Sequence, residues 1–141
     1  MRAIVLDGSV ALSWVLPGEL TASTQTIRVS IEAGNRTIVP AHWALEIANA
    51  LWAAERRKRI AQPDTAAALA ALEKMSMESD TETARRAGRE TLALARQNAL
   101  SVYDAAYLEL AMRRGARLAS LDGQLRAAAK KLNVPLLPES I

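Results

Sequence analysis

The sequence of 141 residues contains no cysteine, no phenylalanine, one histidine and only 4% aromatic residues. Without cysteine there is no disulfide framework, thiolate ligand or thiol nucleophile, and an intracellular protein is expected. The scarcity of aromatic side chains argues against a nucleic-acid site built on stacked bases. No apolar run approaches the length of a membrane span, and the N-terminal residues lack the order of a secretory signal. We therefore expect a cytoplasmic protein with no membrane partner.

Composition indicates one globular domain spanning residues 1–141. Hydrophobic residues make up 50% of the chain and charged residues 23%, which is ordinary for a folded protein of this size. The net charge of +3 is a mild basic excess. It permits a polyanionic partner without requiring one, and such a partner would be bound mainly through backbone charge.

Short apolar runs alternate with helical patterns along the chain. Runs typical of buried strands occupy Ala3–Leu6, Thr37–Val39, Met75–Glu78 and Arg117–Leu121, with an edge strand at Val134–Pro138. Helical periodicity predicts helices over Val10–Leu16, Glu19–Ala33, Ala41–Ile60, Thr65–Met75, a segment from an Asp80 N-cap to about Leu100, Leu100–Met112, and a last helix from Gly123. This alternation predicts a three-layer α/β/α sandwich around a central, mostly parallel sheet.

The helix over Leu100–Met112 contains an anomalous carboxylate. Its apolar positions recur with helical spacing at Tyr103, Ala106, Tyr107, Leu110 and Ala111. Asp104 lies in the first turn beside this stripe, where an unpartnered carboxylate is costly. An alternative is a capping box, in which Ser101 and Asp104 bond each other's backbone N–H groups.

Four acidic residues are expected to lie at one edge of the sheet. Two follow strands and two occupy the first turn of a helix, and the four are Asp7, Glu46, Asp104 and Asp122. In an open parallel sheet the ligand site lies beyond the carboxyl ends of the strands. Each acid also has a structural interpretation, as an N-cap or as a complement to a helix dipole. Capping, however, does not require the four to share one edge.

A cluster of these acids would need a cation, because two carboxylates about 4 Å apart repel by roughly 4 kcal/mol at an effective dielectric constant near 20. All-oxygen ligands indicate Mg²⁺ or Mn²⁺. Such an ion activates water and shields a phosphate, which suits phosphodiester hydrolysis. Asn49, one turn after Glu46, could orient a carboxylate or water, and Ser9 and Ser120 are candidate outer-shell hydroxyls or simply turn residues.

Four segments of the chain resemble the signature regions of PIN-domain nucleases. They read IVLDGSV, PAHWALEIANAL, SVYDAAYLELA and LASLDGQL, and the YDAAY block is most similar to VapC-type toxins of type II toxin–antitoxin pairs. The resemblance implies a ribonuclease with Asp7, Glu46, Asp104 and Asp122 around Mg²⁺ or Mn²⁺. It also implies a homodimer that acts on RNA and is inhibited by a cognate VapB-like antitoxin. Gly8 departs from the family pattern, which usually has serine after the first aspartate.

Other conspicuous residues have plain structural interpretations. His42 lacks partners at the spacing of a catalytic triad and is expected to be a loop or helix-start residue. The basic run Arg56–Arg59 is either a solvated helix end or a contact for phosphates. Trp14 and Trp52 are expected in the core, although the resemblance also allows them to line a groove for an antitoxin helix.

Two other classes of function compete with the nuclease hypothesis. A phosphoacceptor signalling domain would need a second acid beside Asp7, and none is present. A PIN-like protein-binding module with weak or lost catalysis would not need the full set of acids. The acids therefore favour a metal-dependent endoribonuclease.

Overall fold

The computed structural model describes residues 2–141, in which short strands alternate with helices. The strands are β1 (Ile4–Leu6), β2 (Thr37–Val39), β3 (Met77–Ser79), β4 (Arg117–Ala119) and β5 (Leu136–Leu137). The helices are α1 (Gly8–Ser13), α2 (Ala22–Glu32), α3 (Trp43–Arg56), α4 (Gln62–Glu73), α5 (Thr83–Arg86), α6 (Leu92–Asn98), α7 (Val102–Arg114) and α8 (Gly123–Lys131). A π-helical turn, Ala87–Thr91, joins α5 to α6. None of the helices described here is long and apolar enough to cross a bilayer.

The five strands form one parallel sheet in the order β3-β2-β1-β4-β5, so β1 is central. Successive side chains of a strand point to opposite faces. Ile4 and Leu6 accordingly pack into one apolar cluster with α1 to α4, whereas Val5 packs into a second cluster with α7 and α8. Helices therefore cover both faces of the sheet, which confirms the predicted three-layer α/β/α fold.

The order in which strands are added to the sheet reverses at β1, between β2 on one side and β4 on the other. From β1 the chain builds outward to β2 and β3 on one side, and it then crosses to β4 and β5 on the other. Open α/β sheets place their ligand sites at such a switch point, beyond the carboxyl ends of the strands. The residues that follow β1 and β4 are thereby brought to the same place.

Helix α7 is buried on nearly all sides. Every residue from Ala105 to Ala111 is buried, because the helix packs on β1 and β4 and is flanked by α6, α8 and the π-helical turn. The predicted apolar stripe was therefore too narrow, and it was wrong for Tyr103, which is 65% exposed. Gly115 ends the helix in the left-handed conformation, as expected.

A buried ion-pair network fastens α7 to the end of β3. The Arg113 guanidinium donates to both carboxylate oxygens of Asp80 at 2.8 and 3.0 Å, and its Nε–H donates to Glu109 at 3.0 Å. Both acids are only 6% exposed. The prediction that Asp80 caps a single long helix was wrong. That helix begins at Thr83 after an N-cap at Glu82, and it kinks at Arg89.

We expect Arg113→Met to lower the free energy of unfolding by about 3–5 kcal/mol at pH 7, because it leaves the buried Asp80 carboxylate without its cation and Glu109 with only the longer Arg86 contact, at 3.7 Å. Burial alone would raise the pKa of Asp80, but the Arg113 hydrogen bonds hold it below its ordinary value. A lowered folded-state pKa stabilises the fold above the unfolded pKa of about 3.9, and this contribution is lost as the pH falls through the folded value. The effect of the substitution should therefore shrink below about pH 4.

Urea denaturation at several pH values measures this effect. Arg114→Met is the matched control, since Arg114 makes no ion pair within residues 2–141. Equal stability of the two variants at pH 7 would contradict the structural role of the network.

Candidate active site

Asp7 lies directly after β1, where strand register places it beside the end of β4. Leu6 pairs with Ala119, and the Asp7 N–H donates to the Ala119 carbonyl at 2.9 Å. Ser120, the residue that follows β4, donates its hydroxyl to Asp7 Oδ2 at 2.8 Å. The Ser9 hydroxyl donates to the same oxygen, also at 2.8 Å. Two hydroxyls from opposite ends of the sequence thus orient one buried carboxylate.

The surroundings of Asp7 disfavour its ionised form. Burial raises the pKa of Asp7, the hydrogen bonds from Ser120 and Ser9 lower it, and the negative charges of Glu46 and Asp122 raise it further, leaving it above the ordinary value. Asp7 occupies the N-cap position of α1, yet its carboxylate makes no capping bond. Helix capping therefore does not account for this residue.

Glu46, in the first turn of α3, has two polar partners at one oxygen. The Tyr107 hydroxyl donates to Oε1 at 2.6 Å, and His42 Nε2 lies 3.2 Å from the same atom. Burial alone would raise the pKa of Glu46, but these two partners hold it below its ordinary value. The Glu46 hydrogen bond in turn raises the pKa of His42.

Asp104, in the first turn of α7, lies in the field of the other three acids. Burial raises its pKa first, followed by the negative charges of Asp122, Asp7 and Glu46. The Ser101 hydroxyl accepts the Asp104 N–H at 3.0 Å, which is the forward half of the predicted capping box. The pKa effects show that all four acids share one electrostatic neighbourhood.

Asp122 is the N-cap of α8, as its structural interpretation expected. Its Oδ1 accepts the N–H groups of Gln124 and Leu125 at 2.9 and 3.2 Å. Its backbone N–H donates to the Ser120 hydroxyl at 3.1 Å, and that hydroxyl also holds Asp7. Asp122 therefore caps α8 and also belongs to the acidic group.

Three of the acids have one oxygen engaged in hydrogen bonds and one that is free. Asp7 uses Oδ2, Glu46 uses Oε1 and Asp122 uses Oδ1, and within residues 2–141 the second oxygen of each accepts no hydrogen bond. A free carboxylate oxygen is the donor that a hard divalent cation requires. Across the same residues, however, no three acidic or histidine side chains already stand at ligating distance. The donor chemistry fits Mg²⁺ or Mn²⁺, whereas the closed coordination shell is not formed.

The remaining predicted residues differ in their exposure and contacts. Asn49 is exposed on α3. Trp14 is half-buried and donates its indole N–H to the Thr24 carbonyl at 2.8 Å. Trp52 is 54% exposed with the Arg56 guanidinium 5.5 Å from its ring centroid, so its expected place in the core was wrong.

Sequence reasoning gave His42 and Tyr107 no part in the site, although both contact Glu46. His42 is four residues before Glu46 on one helix face, and that spacing alone could have indicated the contact. Tyr107 offered a weaker signal, namely that a phenol hydroxyl in the interior needs a partner.

A protein-family comparison now bears on these observations. Residues 4–131 match the family model described as the PIN domain. The chain belongs to the PIN-domain family. PIN domains are generally nucleases, and they generally use divalent metal ions. Among curated proteins, no sequence match reaches significance.

Solved structures share the PIN fold across nearly the whole chain. PAE2754 from Pyrobaculum aerophilum has a TM-score of 0.69 and 23% identity, covering 97% of this chain and 85% of its own. VapBC2 from Rickettsia felis, bound to a DNA fragment from its promoter, has a TM-score of 0.64 and 12% identity over 95% and 96%. The sarcin–ricin loop cleaving toxin VapC20 of Mycobacterium tuberculosis has a TM-score of 0.61 and 20% identity over 89% and 95%. At these identities the likeness establishes the fold.

We expect Asp7→Asn to stabilise the metal-free PIN domain by roughly 1 kcal/mol at pH 7, the usual scale of a single substitution. The neutral amide keeps an acceptor for both serines and removes a buried charge that other acids repel. Because the pKa of Asp7 is raised on folding, its protonated form favours the fold below about pH 3.9, and this contribution is lost as the pH rises through the folded value. The advantage of the variant should therefore grow from pH 4 to pH 7.

Thermal unfolding in the presence of chelator measures the difference, with Asp64→Asn as the matched control because Asp64 is an exposed acid in the first turn of α4. A less stable Asp7→Asn protein at pH 7 would show that the buried charge is not a net cost.

Proposed function

We propose that this PIN domain is a metal-dependent endoribonuclease and the toxin of a VapBC-type toxin–antitoxin pair. The observation that carries the proposal is the arrangement around Asp7, a buried carboxylate oriented by Ser9 and Ser120 and placed in the field of Glu46, Asp122 and Asp104. Such an arrangement is unfavourable without a cation and useful with one. The toxins among the structural neighbours are consistent with this proposal.

Mg²⁺ or Mn²⁺ would be held by Asp7, Glu46, Asp104 and Asp122. When bound, the ion makes water a stronger nucleophile at neutral pH and neutralises phosphate charge. The chain's own residues do the positioning. Ser9 and Ser120 hold Asp7 in one orientation, and Asn49 is exposed one turn beyond Glu46, where it can meet RNA or water. The exposed basic end of α3, Arg56–Arg59, offers positive charge to the RNA backbone.

The proposal also covers the partners of the enzyme and its place in the cell. A VapB-like antitoxin would inhibit the enzyme, and the active form would be a homodimer in the cytoplasm, where RNA is found.

The alternative, a PIN-like module that binds protein without catalysis, is favoured by the absence of a formed metal cage across residues 2–141. Retention of all four acids opposes that alternative, since a scaffold gains nothing from their repulsion.

We expect Asp104→Asn to reduce RNA cleavage a hundredfold or more, because loss of a ligand should exceed the roughly 10–100-fold effect of losing an outer-shell partner. A digest of total RNA with Mg²⁺ or Mn²⁺, and with chelator, measures the activity. Asp64→Asn should cleave like the unmodified protein, because it changes the same residue type in a helix first turn outside the acidic group. Full activity of Asp104→Asn, or cleavage unaffected by chelator, would refute the metal-dependent mechanism.

The toxin role makes a separate prediction in cells. Expression of the chain should arrest growth, Asp104→Asn should not, and co-expression of the cognate antitoxin should restore growth by forming a complex. Growth curves and co-purification measure these effects. Growth arrest by Asp104→Asn equal to that of the parent would mean that toxicity does not come from cleavage.

A further inference from the structure

Tyr107, near the middle of α7, connects this helix to Glu46 on α3. Its side chain is fully buried, and its hydroxyl donates to Glu46 Oε1 at 2.6 Å. Hydrogen bonds to a charged acceptor at this distance are among the stronger ones in proteins. The contact joins residues that are 61 positions apart, so it forms only when both helices are docked on the sheet.

The acceptor is a carboxylate of the candidate metal site. A buried phenol hydroxyl needs some acceptor, and a backbone carbonyl would satisfy it equally well. Tyr107 instead donates to Glu46, a carboxylate that belongs to the acidic group. An ionised carboxylate only accepts hydrogen bonds, so the phenol is the donor in this contact.

The two partners of Glu46 use the same oxygen and leave the other free. Both Tyr107 and His42 contact Oε1, while Oε2 accepts no hydrogen bond from the described residues. His42 is the less constrained partner, because its Nε2 also lies 3.1 Å from the Tyr103 carbonyl and can be shared between the two oxygens. Within residues 2–141 the Tyr107 hydroxyl makes a single hydrogen bond, and its 2.6 Å length is the shorter of the two contacts with Oε1.

We infer that Tyr107 is a positioning residue of the acidic site, whose hydroxyl fixes Glu46 through Oε1 and so leaves Oε2 as the oxygen available to a cation. The inference rests on the proposed metal-dependent function. It adds a residue from the interior of α7 to the acids and serines of the site. Tyr107 itself is not assigned any contact with the cation or with RNA.

Tyr107→Phe tests the inference, because it removes the hydroxyl and keeps the ring. We expect the affinity for Mn²⁺, measured by calorimetry, to fall about tenfold, the scale reported for outer-shell partners of metal ligands. A crystal structure of the variant should show the Glu46 side chain in a changed orientation. Circular dichroism verifies that the variant is folded.

Tyr103→Phe is the matched control. Both tyrosine rings stack edge-on against His42, with centroids 5.7 Å away for Tyr103 and 5.5 Å for Tyr107. The Tyr103 side chain is exposed, and its hydroxyl makes no hydrogen bond within residues 2–141. The control should therefore bind Mn²⁺ like the unmodified protein. Equal losses of affinity in the two variants would overturn the inference, because the effect would then come from general perturbation.

A double-mutant cycle with Glu46→Gln separates positioning from packing. If Tyr107 acts through Glu46, Tyr107→Phe should cause little further loss of Mn²⁺ affinity in the Glu46→Gln background. A full additional tenfold loss there, or unchanged Glu46 geometry and unchanged affinity in Tyr107→Phe alone, would overturn the inference and leave the proposed function standing. Absence of Mn²⁺ uptake by the unmodified protein would instead overturn the proposed function, and the inference with it.

Discussion

The burial of a carboxylate at the end of the central strand is the constraint on which the candidate site depends. Asp7 cannot avoid the interior, because β1 is flanked by parallel neighbours and covered by helices on both faces. The register that pairs Leu6 with Ala119 brings Ser120 next to it, and the α1 turn brings Ser9. The serines thereby orient the Asp7 carboxylate without neutralising its charge. The negative charges of the other acids add to the free-energy cost of burying it.

Two polar links fasten helix α7 and together fix where Asp104 lies. Near the middle of the helix, the Tyr107 hydroxyl joins it to α3 through Glu46, and near its end Arg113 joins it to Asp80 beside β3. These links are directional, whereas the apolar packing between them is not. A helix that only packed against the sheet could slide or rotate by a small amount. The two polar links limit that freedom and hold the first-turn carboxylate of Asp104 at the switch point.

Much of the fold could be predicted from local sequence signals. The strand Thr37–Val39, the end of α7 at Gly115 and the alternation of strands and helices all follow from residue type and spacing. The same alternation predicts that the residues after β1 and β4 share one edge of the sheet, as they do. These features depend on periodicity and on turn chemistry, which a single sequence carries.

The residues whose roles were predicted wrongly are placed by contacts with residues that are remote in sequence. Asp80 resembled an N-cap because an acidic residue before a helical pattern is typical of one. Its actual partner, Arg113, lies 33 positions away, so local sequence does not reveal it. Tyr103 fits the apolar stripe by spacing, yet it faces solvent because the packing around α7 extends to other residues. Tyr107 resembled a simple core residue, since nothing local reveals that Glu46 meets its hydroxyl. Periodicity identifies a face of a helix, but it does not identify what covers that face.

The position of β4 late in the chain has a consequence during synthesis. Ser120 and Asp122 are translated after Asp7, Glu46 and Asp104, and β4 must insert beside β1 before Asp7 acquires its second hydroxyl partner. A nascent polypeptide still attached to the ribosome beyond Asp104 thus carries three of the acids without the strand that completes their arrangement. The order of the segments therefore delays assembly of the complete acidic group until β4 and Asp122 have been synthesised.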